Sequence, residues 1–460
     1  MSSIAVVGGA GYVGLAYSVL LADLGHHVVS IDTDPVRIGQ LCQGIVPNHE
    51  PGLHALLHRT LASGRLRFSH EYASTIPDAD FAFICVGTPS TASGAADTSA
   101  VTEAAQLIAQ HAHGHTIVVN KSTMPVGSAT YVADILAEHA SPPATFDVVS
   151  NPEFLREGSA MNDIYHPDRI VLGSDDMDAA AAVGELYQSL GAPVLVTQAR
   201  TAEMIKYASN AFLANKISFI NEVATICEHL GADVSVVVHG MGLDSRISPH
   251  FLRPGIGFGG SCFPKDVRAL AKMARDNGCD PALLTSVLSI NDKMRARVIA
   301  RIDAHLGGLA GKTLGILGLA FKPDTDDIRE APAIALIQAL LAAGATVRAT
   351  DPVAGRRAAA AVPEIQIARD AYGAATGADA VVLVTEWAEY RSLNMDRLAN
   401  AMRGTLVVDG RNALDPATVT AAGLTYAGIG RSATPAVTTI QMPPVVITAQ
   451  EPGGVHQMAD

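Results

Sequence analysis

The sequence predicts an α/β protein with two doubly wound domains joined by a long central helix and a helical region. Three observations predict it. Short apolar runs alternate with Ala/Leu-rich helical stretches over residues 4–150. The alternation gives way to an unbroken helical pattern from about 201 to 230. It restarts at Lys312 and continues to about 430. Alternating strand and helix periods are the pattern of parallel sheets covered by helices on both faces.

The bulk properties bound the class. The chain has 460 residues, 48% of them hydrophobic and 17% charged. That suits two or three globular domains and excludes a disordered chain. A net charge of -13 argues against a general nucleic-acid binder. Cys42, Cys85, Cys227, Cys262 and Cys279 form no C-x-x-C pair and no metal-ligand spacing. No metal is therefore expected, and an odd, scattered set fits a reducing compartment. The chain begins without the layout of a signal peptide. No apolar run reaches the ~20 residues that a membrane span requires. A cytoplasmic protein without a membrane partner is expected.

The first strand, 4–7, leads directly into Gly9-Ala10-Gly11-Tyr12-Val13-Gly14. A helical pattern follows to about Leu24, closed by Gly25, and a second strand over 27–32 ends in Asp32. Strand, G-x-G-x-x-G, helix, strand and acid within one βαβ unit are the context of a Rossmann-like dinucleotide site. Glycines permit the tight turn and the approach of a pyrophosphate, and the helix N-terminus faces it. Asp32 would bond the ribose hydroxyls and repel a 2′-phosphate, so NAD is expected as cofactor.

Further strands are expected over 81–86, 116–120 and 147–150. Each is followed by polar residues: Gly87-Thr88-Pro89, Lys121-Ser122-Thr123, and Asn151-Pro152-Glu153-Phe154-Leu155-Arg156-Glu157-Gly158. Ligands bind at such strand ends in doubly wound sheets. Taken singly, each is equally ordinary turn or cap chemistry.

The helix over 201–230 would span roughly 45 Å. Lys206 and Asn210 are four residues apart and share a face. That face could serve a polar ligand or simply be solvated. Then comes Gly257-Phe258-Gly259-Gly260-Ser261-Cys262-Phe263-Pro264-Lys265-Asp266. Converging amides of a glycine-rich turn and a nearby cation would make this thiol ionise more easily than a free one. The run alone admits two readings, a small buried residue or a covalent nucleophile.

The second alternating region has strands over 313–317, 346–350, 380–385 and 405–408. It lacks G-x-G-x-x-G, so no second dinucleotide is implied. Its strand ends carry Lys322, Arg329 and Arg411, which suit a phosphorylated ligand. Beyond about 430 the chain is Thr/Pro/Ala/Gln-rich, and a disordered tail is expected.

Taken together, these motifs resemble the UDP-glucose/GDP-mannose dehydrogenase family over nearly the whole chain. Met124 departs from the family pattern, which has a β-branched residue after Lys-Ser-Thr. The resemblance implies an NAD-binding Rossmann domain over 1–198 and a central helical dimerisation region with the Cys loop over 199–309. It implies a C-terminal Rossmann-like domain for the UDP-sugar over 310–430, followed by the tail at 431–460. It also implies a homodimer or higher homo-oligomer. The implied reaction is a four-electron oxidation of UDP-glucose to UDP-glucuronate by two NAD⁺ in succession. UDP-N-acetylmannosamine or GDP-mannose is the alternative substrate, and a two-electron hydroxyacid dehydrogenase is a more distant one.

By the same resemblance Cys262 is the nucleophile, passing through a thiohemiacetal and a thioester. Lys206 and Asn210 hold the oxyanion, Asp266 is a base acting through water, Thr123 holds that water, and Glu153 activates the hydrolytic water. NAD contacts are implied for Gly9, Gly11, Val13, Gly14, Asp32, Arg37, Thr88, Thr123, Glu157, Lys265 and Arg329. Sugar-nucleotide contacts are implied for Glu153, Phe154, Leu155, Arg156, Lys206, Asn210, Phe251, Leu252, Arg253, Pro254, Gly255, Gly259, Lys322 and Arg411. Arg246 joins them across a dimer interface.

Overall fold

The structure, a computed structural model, describes residues 1–431. The expected tail at 431–460 falls, from 432 on, outside the described residues. Two parallel sheets flank a helical centre.

The N-terminal sheet has eight strands: β1 (Ser3–Val7), β2 (His27–Ile31), β3 (Leu66–Ser69), β4 (Phe81–Ile84), β5 (His115–Asn120), β6 (Thr145–Ser150), β7 (Ile170–Gly173) and β8 (Val194–Thr197). Their spatial order is β3-β2-β1-β4-β5-β6-β7-β8. The pairings are parallel except β6 with β7, which meet antiparallel at Ser150 and Gly173. Strand order reverses between β1 and β4, which is where a doubly wound sheet opens a crevice at its carboxyl ends. β1 and β4 are buried along almost their whole length, as strands covered on both faces must be.

The C-terminal sheet holds β9 (Thr313–Leu317), β10 (Thr346–Thr350), β11 (Gln366–Ile367), β12 (Ala380–Leu383), β13 (Leu406–Asp409) and β14 (Thr425–Gly428). Its order is β11-β10-β9-β12-β13-β14, all parallel. Its switch point lies between β9 and β12. β3, β7, β8, β11 and β14 were not expected from the sequence. They are two to four residues long, too short for period-2 alternation to stand out.

The central helix runs Ala199–Leu230, 32 residues and about 48 Å at 1.5 Å per residue. It starts against β7, where Gly173 leaves no room for a Cβ beside Ala199 and Ala202. Its second half, with Ile220, Ala224 and Cys227, joins the core of the C-terminal sheet. Val298 and Ile302 of the helix Ala282–Leu306 enter the same core, as do Leu252 and Ile256 before the cysteine loop. The cysteine loop is therefore attached to the C-terminal core on its N-terminal side. Among the described residues no helix is long and apolar enough to cross a membrane.

Candidate active site

The N-terminal crevice is built by close approach. A Cβ on Gly9 would overlap the Ser30 hydroxyl, and one on Gly14 would overlap Gly8 O. Only glycine lets the loop sit this tightly over β1 and the helix Tyr12–Asp23. Gly11 caps that helix without a side-chain acceptor, so its first amides keep their capacity for an anion. Asp32 closes the crevice, its carboxylate accepting Ala10 N–H at 3.0 Å and Asp34 N–H at 3.1 Å. The residues therefore fit a dinucleotide. Val13 stands just inside this helix, and Arg37 pairs with Asp34 at 3.3 Å on the open side of β2. Thr88 and Ser122 spend their hydroxyls on backbone: Thr88 Oγ1 donates to Thr123 O at 2.7 Å and Ser122 Oγ to Val86 O at 2.7 Å. Both bonds tie one strand-end loop to the next, across 35 and 36 positions, and are not local turns or caps.

Behind this wall lies a charged cluster. Lys206 and Asn210 are buried, not solvated. Lys206 Nζ pairs with Glu153 Oε1 at 2.9 Å, and Glu153 Oε2 accepts Leu155 N–H at 2.6 Å. Asn210 Nδ2 donates to Asp266 Oδ2 at 2.6 Å, while Lys265 Nζ reaches Asp266 Oδ1 at 2.6 Å. Burial works against the charge of Lys206, but Glu153, Cys262 and Asp266 raise its pKa above the usual lysine value. Burial pushes Glu153 up, yet the charge and hydrogen bond of Lys206, the Leu155 amide and the charge of Lys121 carry it below the usual carboxylate value. Phe154 lies under Arg169 at 3.7 Å and near Lys206 at 5.4 Å. A small cavity beside Lys206 is lined by Thr123, Asn120, Ser150 and Glu203.

Cys262 caps the helix Phe263–Asp276, at its positive end. Its environment differs from the expectation. Burial and the Glu153 carboxylate push the thiol up, against the pull of Lys206 and of a Ser261 hydrogen bond. The glycine-rich loop also gives part of its amides to protein acceptors. Ile256 N–H donates to Gly410 O, Phe258 N–H to Asn291 Oδ1 and Gly260 N–H to Arg329 O. The glycines serve contact with the other domain: a Cβ on Gly255 would crowd Gly410 O, on Gly259 Glu330 O, and on Gly260 the Phe321 ring. Arg411 is part of the same clamp, donating to Val384 O at 2.7 Å and Gly257 O at 2.9 Å.

The C-terminal domain completes the site. Glu157, on the loop after β6, accepts from Ser261 Oγ at 3.2 Å, Arg329 at 3.3 Å and Thr325 Oγ1 at 3.4 Å. Lys322 is desolvated and lowered, although Glu157, Cys262 and Glu50 pull the other way. Arg156 turns to Asp163 across the loop. Phe251, Asp324 and Glu330 take positive φ without being glycine, and such strain concentrates at functional sites. Leu252 buries its side chain in the C-terminal core, and Pro254 is buried beside it. Arg253 is exposed. Arg246 is not brought to the site within one chain; it is exposed and bonds Asp244.

Sequence reasoning missed several residues. Ser261 has Sγ of Cys262 3.6 Å from its hydroxyl. Glu50 accepts from Tyr12 OH, Gly158 N–H and Ala160 N–H, fastening the loop after β6 to the dinucleotide helix. Lys121 is fully buried. Its position in Lys-Ser-Thr was visible, but its burial was not.

Three family models match: the NAD binding domain of the UDP-glucose/GDP-mannose dehydrogenase family over residues 2–191, its central domain over 200–293, and its UDP binding domain over 315–416. UDP-glucose 6-dehydrogenase YwqF of Bacillus subtilis is 45% identical over 92% of this chain and 97% of its own. UDP-glucose 6-dehydrogenase of Rhizobium meliloti is 47% identical over 92% and 98%. Among solved structures, a UDP-glucose dehydrogenase from Pyrobaculum islandicum is 40% identical and superposes with a TM-score of 0.89, covering 94% of this chain and 98% of its own.

Proposed function

The chain belongs to the UDP-glucose/GDP-mannose dehydrogenase family, and from that premise we propose that it oxidises UDP-glucose to UDP-glucuronate through covalent intermediates on Cys262. The observation that carries this reading is the position of Cys262. The residue stands at a helix N-terminus, its thiol feels the charges of Lys206, Glu153 and Asp266, and it lies where the two α/β domains meet. A two-electron hydroxyacid dehydrogenase needs no thiol there.

NAD, held by Gly9, Gly11, Gly14 and Asp32, supplies the hydride acceptor for each of the two oxidations. The remaining work falls to the chain. Asp266, oriented by Asn210 and Lys265, takes the proton of the sugar C6 hydroxyl through a water. Cys262 Sγ then bonds the aldehyde carbon, and the carbonyl π pair moves onto oxygen. Lys206 has two N–H groups beyond the one given to Glu153, and these hold the oxyanion. Hydrolysis of the thioester requires a water aimed at the same carbon, and Glu153 and Asp266 flank it. Lys322 draws the diphosphate, and Arg37, Thr88, Lys265 and Arg329 border the cofactor. UDP-glucose is preferred among the sugars because the relatives at 45% and 47% identity carry that activity in their names.

A homodimer accompanies this reading. Phe212, Phe219, Ile226 and Leu230 are 64%, 45%, 50% and 77% exposed, and they lie along the central helix. A stripe of exposed large apolar side chains of this kind suits a second copy, and Arg246 would then reach across the interface.

Stoichiometry tests the function. NADH released per UDP-glucose consumed should be two, with little release from GDP-mannose or UDP-N-acetylmannosamine, and Cys262→Ser should bind both ligands without turnover. No NADH from UDP-glucose sinks the choice of sugar. A fully active Cys262→Ser sinks the covalent route.

A further inference from the structure

We infer that Ser261 and Glu157 form a proton relay that takes the Cys262 thiol proton when sulfur attacks. The inference rests on the reading of Cys262 as nucleophile. It answers a question that reading leaves open. Two different protons must leave during the first half of the reaction, one from the sugar hydroxyl and one from the thiol. Asp266 is the base for the first. Both of its oxygens already accept protein hydrogen bonds, from Asn210 and Lys265, and its charge opposes ionisation of the thiol. The thiol needs its own acceptor.

The geometry supplies one. Ser261 Oγ lies 3.6 Å from Cys262 Sγ, within reach for a sulfur hydrogen bond, and 3.2 Å from Glu157 Oε1. A hydroxyl both accepts and donates. The S–H proton can pass to Ser261 Oγ while the Ser261 proton passes to Glu157 Oε1. The charges balance. Sulfur's electron pair forms the new S–C bond and the carbonyl π pair becomes the oxyanion beside Lys206. One negative charge has moved from Glu157 to that oxyanion. When the thioester is hydrolysed, the departing sulfur recovers its proton by the reverse path.

Glu157 is suited to this task. Burial and the neighbouring Asp327 carboxylate raise it to about 7, against Arg329 and Lys322, which favour its charge. A base near the working pH transfers protons in both directions. Its other neighbours are Thr325, whose hydroxyl bonds Oε2 at 3.4 Å, and Tyr12 across the junction. Ser261, for its part, stabilises the thiolate by its hydrogen bond.

The test follows thiolate formation separately from turnover. Alkylation of Cys262 by iodoacetamide is measured against pH, on a background with the other four cysteines changed to serine or alanine. In Ser261→Ala the midpoint should move up by about one pH unit. Turnover with UDP-glucose should fall about 10- to 100-fold with KM for the sugar within twofold. Ser261→Thr, which keeps the hydroxyl, should restore both. Glu157→Gln should lower turnover comparably at saturating NAD and remove the inflection near pH 7. The relay is overturned if the Ser261→Ala alkylation curve overlays the parent's. It is also overturned if Glu157→Gln only raises KM for NAD. Either result would leave an inactive Cys262→Ser standing, so the relay can fail while the covalent route survives.

Discussion

Lys121→Met isolates the energetics of a buried cation. Lys121 Nζ donates to Asn151 Oδ1 at 2.8 Å and sits 3.8 Å above the Tyr17 ring and 5.5 Å from that of Tyr187. An amide and two rings replace the water shell only in part. Burial lowers its pKa from 10.5 to about 7, although Cys85 and Glu153 pull upward. A gap of about 3.5 units, at about 1.4 kcal/mol each, costs the folded state about 5 kcal/mol below pH 7. The folded protein sheds this proton near pH 7 and the unfolded chain near 10.5. Between those values the unfolded state binds more protons, so stability must rise with pH. Methionine has a similar length and no charge. Its substitution forfeits one hydrogen bond, about 1 kcal/mol, and Tyr187 OH still satisfies Asn151 Oδ1 at 2.9 Å. Lys121→Met should therefore be more stable at pH 7 by about 3 kcal/mol. The gap should shrink by about that amount by pH 10. Urea denaturation followed by circular dichroism at pH 7, 8.5 and 10 reads both. A variant less stable at pH 7, by a margin that does not change with pH, would refute the reasoning.

Two other perturbations test neighbouring parts of the site. Glu157 has a folded pKa of about 7 against 4.5, so the folded state keeps a proton that the unfolded state has lost. Stability falls as pH rises from about 4.5 to 7, and Glu157→Gln should melt higher than the parent at pH 8 by up to about 3 kcal/mol while matching it at pH 4.5; equal melting at both pH values contradicts this. Gly259→Ala drives a Cβ into Glu330 O and the Pro332 ring, and should cost about 1–3 kcal/mol and displace the cysteine loop. Gly39→Ala, with nothing within 4 Å of its Cβ, is the control that should be neutral or stabilising. If both are equally active and stable, the loop is not held by close contact.

The fold was legible where burial on both faces left a continuous apolar run of about five residues, and the shorter, equally buried β7 was missed. β9 and β10 begin and end at the residues that the pattern marks. It was illegible at β8, whose Val194 and Leu195 are exposed, and at β11, which is two residues long. The dinucleotide cradle could be read because its parts lie within one unit of about 30 residues. The charged cluster could not be read in the same way. The solvated-face alternative for Lys206 fails because of Glu153, 53 positions away, and no local pattern carries that partner. Ser261 was hidden for the same reason: a hydroxyl in a glycine-rich loop is unremarkable until Glu157, 104 positions earlier, is beside it.

The glycines around Cys262 show how such distant parts are brought to one point. The sequence suggested that they let backbone amides converge near the thiol, and the structure presses them against the C-terminal domain at Gly410, Glu330 and Phe321. Arg411 secures the contact from the other side by holding Gly257 O. The loop's amides are likewise given to Gly410, Asn291 and Arg329. The thiol's loop is thus held by the domain that carries Lys322 and Arg329, while Lys206 reaches it from the central helix, which starts against β7 and ends in the C-terminal core. Beside the thiol, Phe258 and Val267 pack on Ala211 and Ala214 of that helix and Asp266 accepts from Asn210, so Cys262 and Lys206 are carried by one packed unit. In that geometry the electrostatic help Lys206 gives the thiol is built into the junction itself, and each α/β domain brings its ligand-binding residues to a nucleophile already placed.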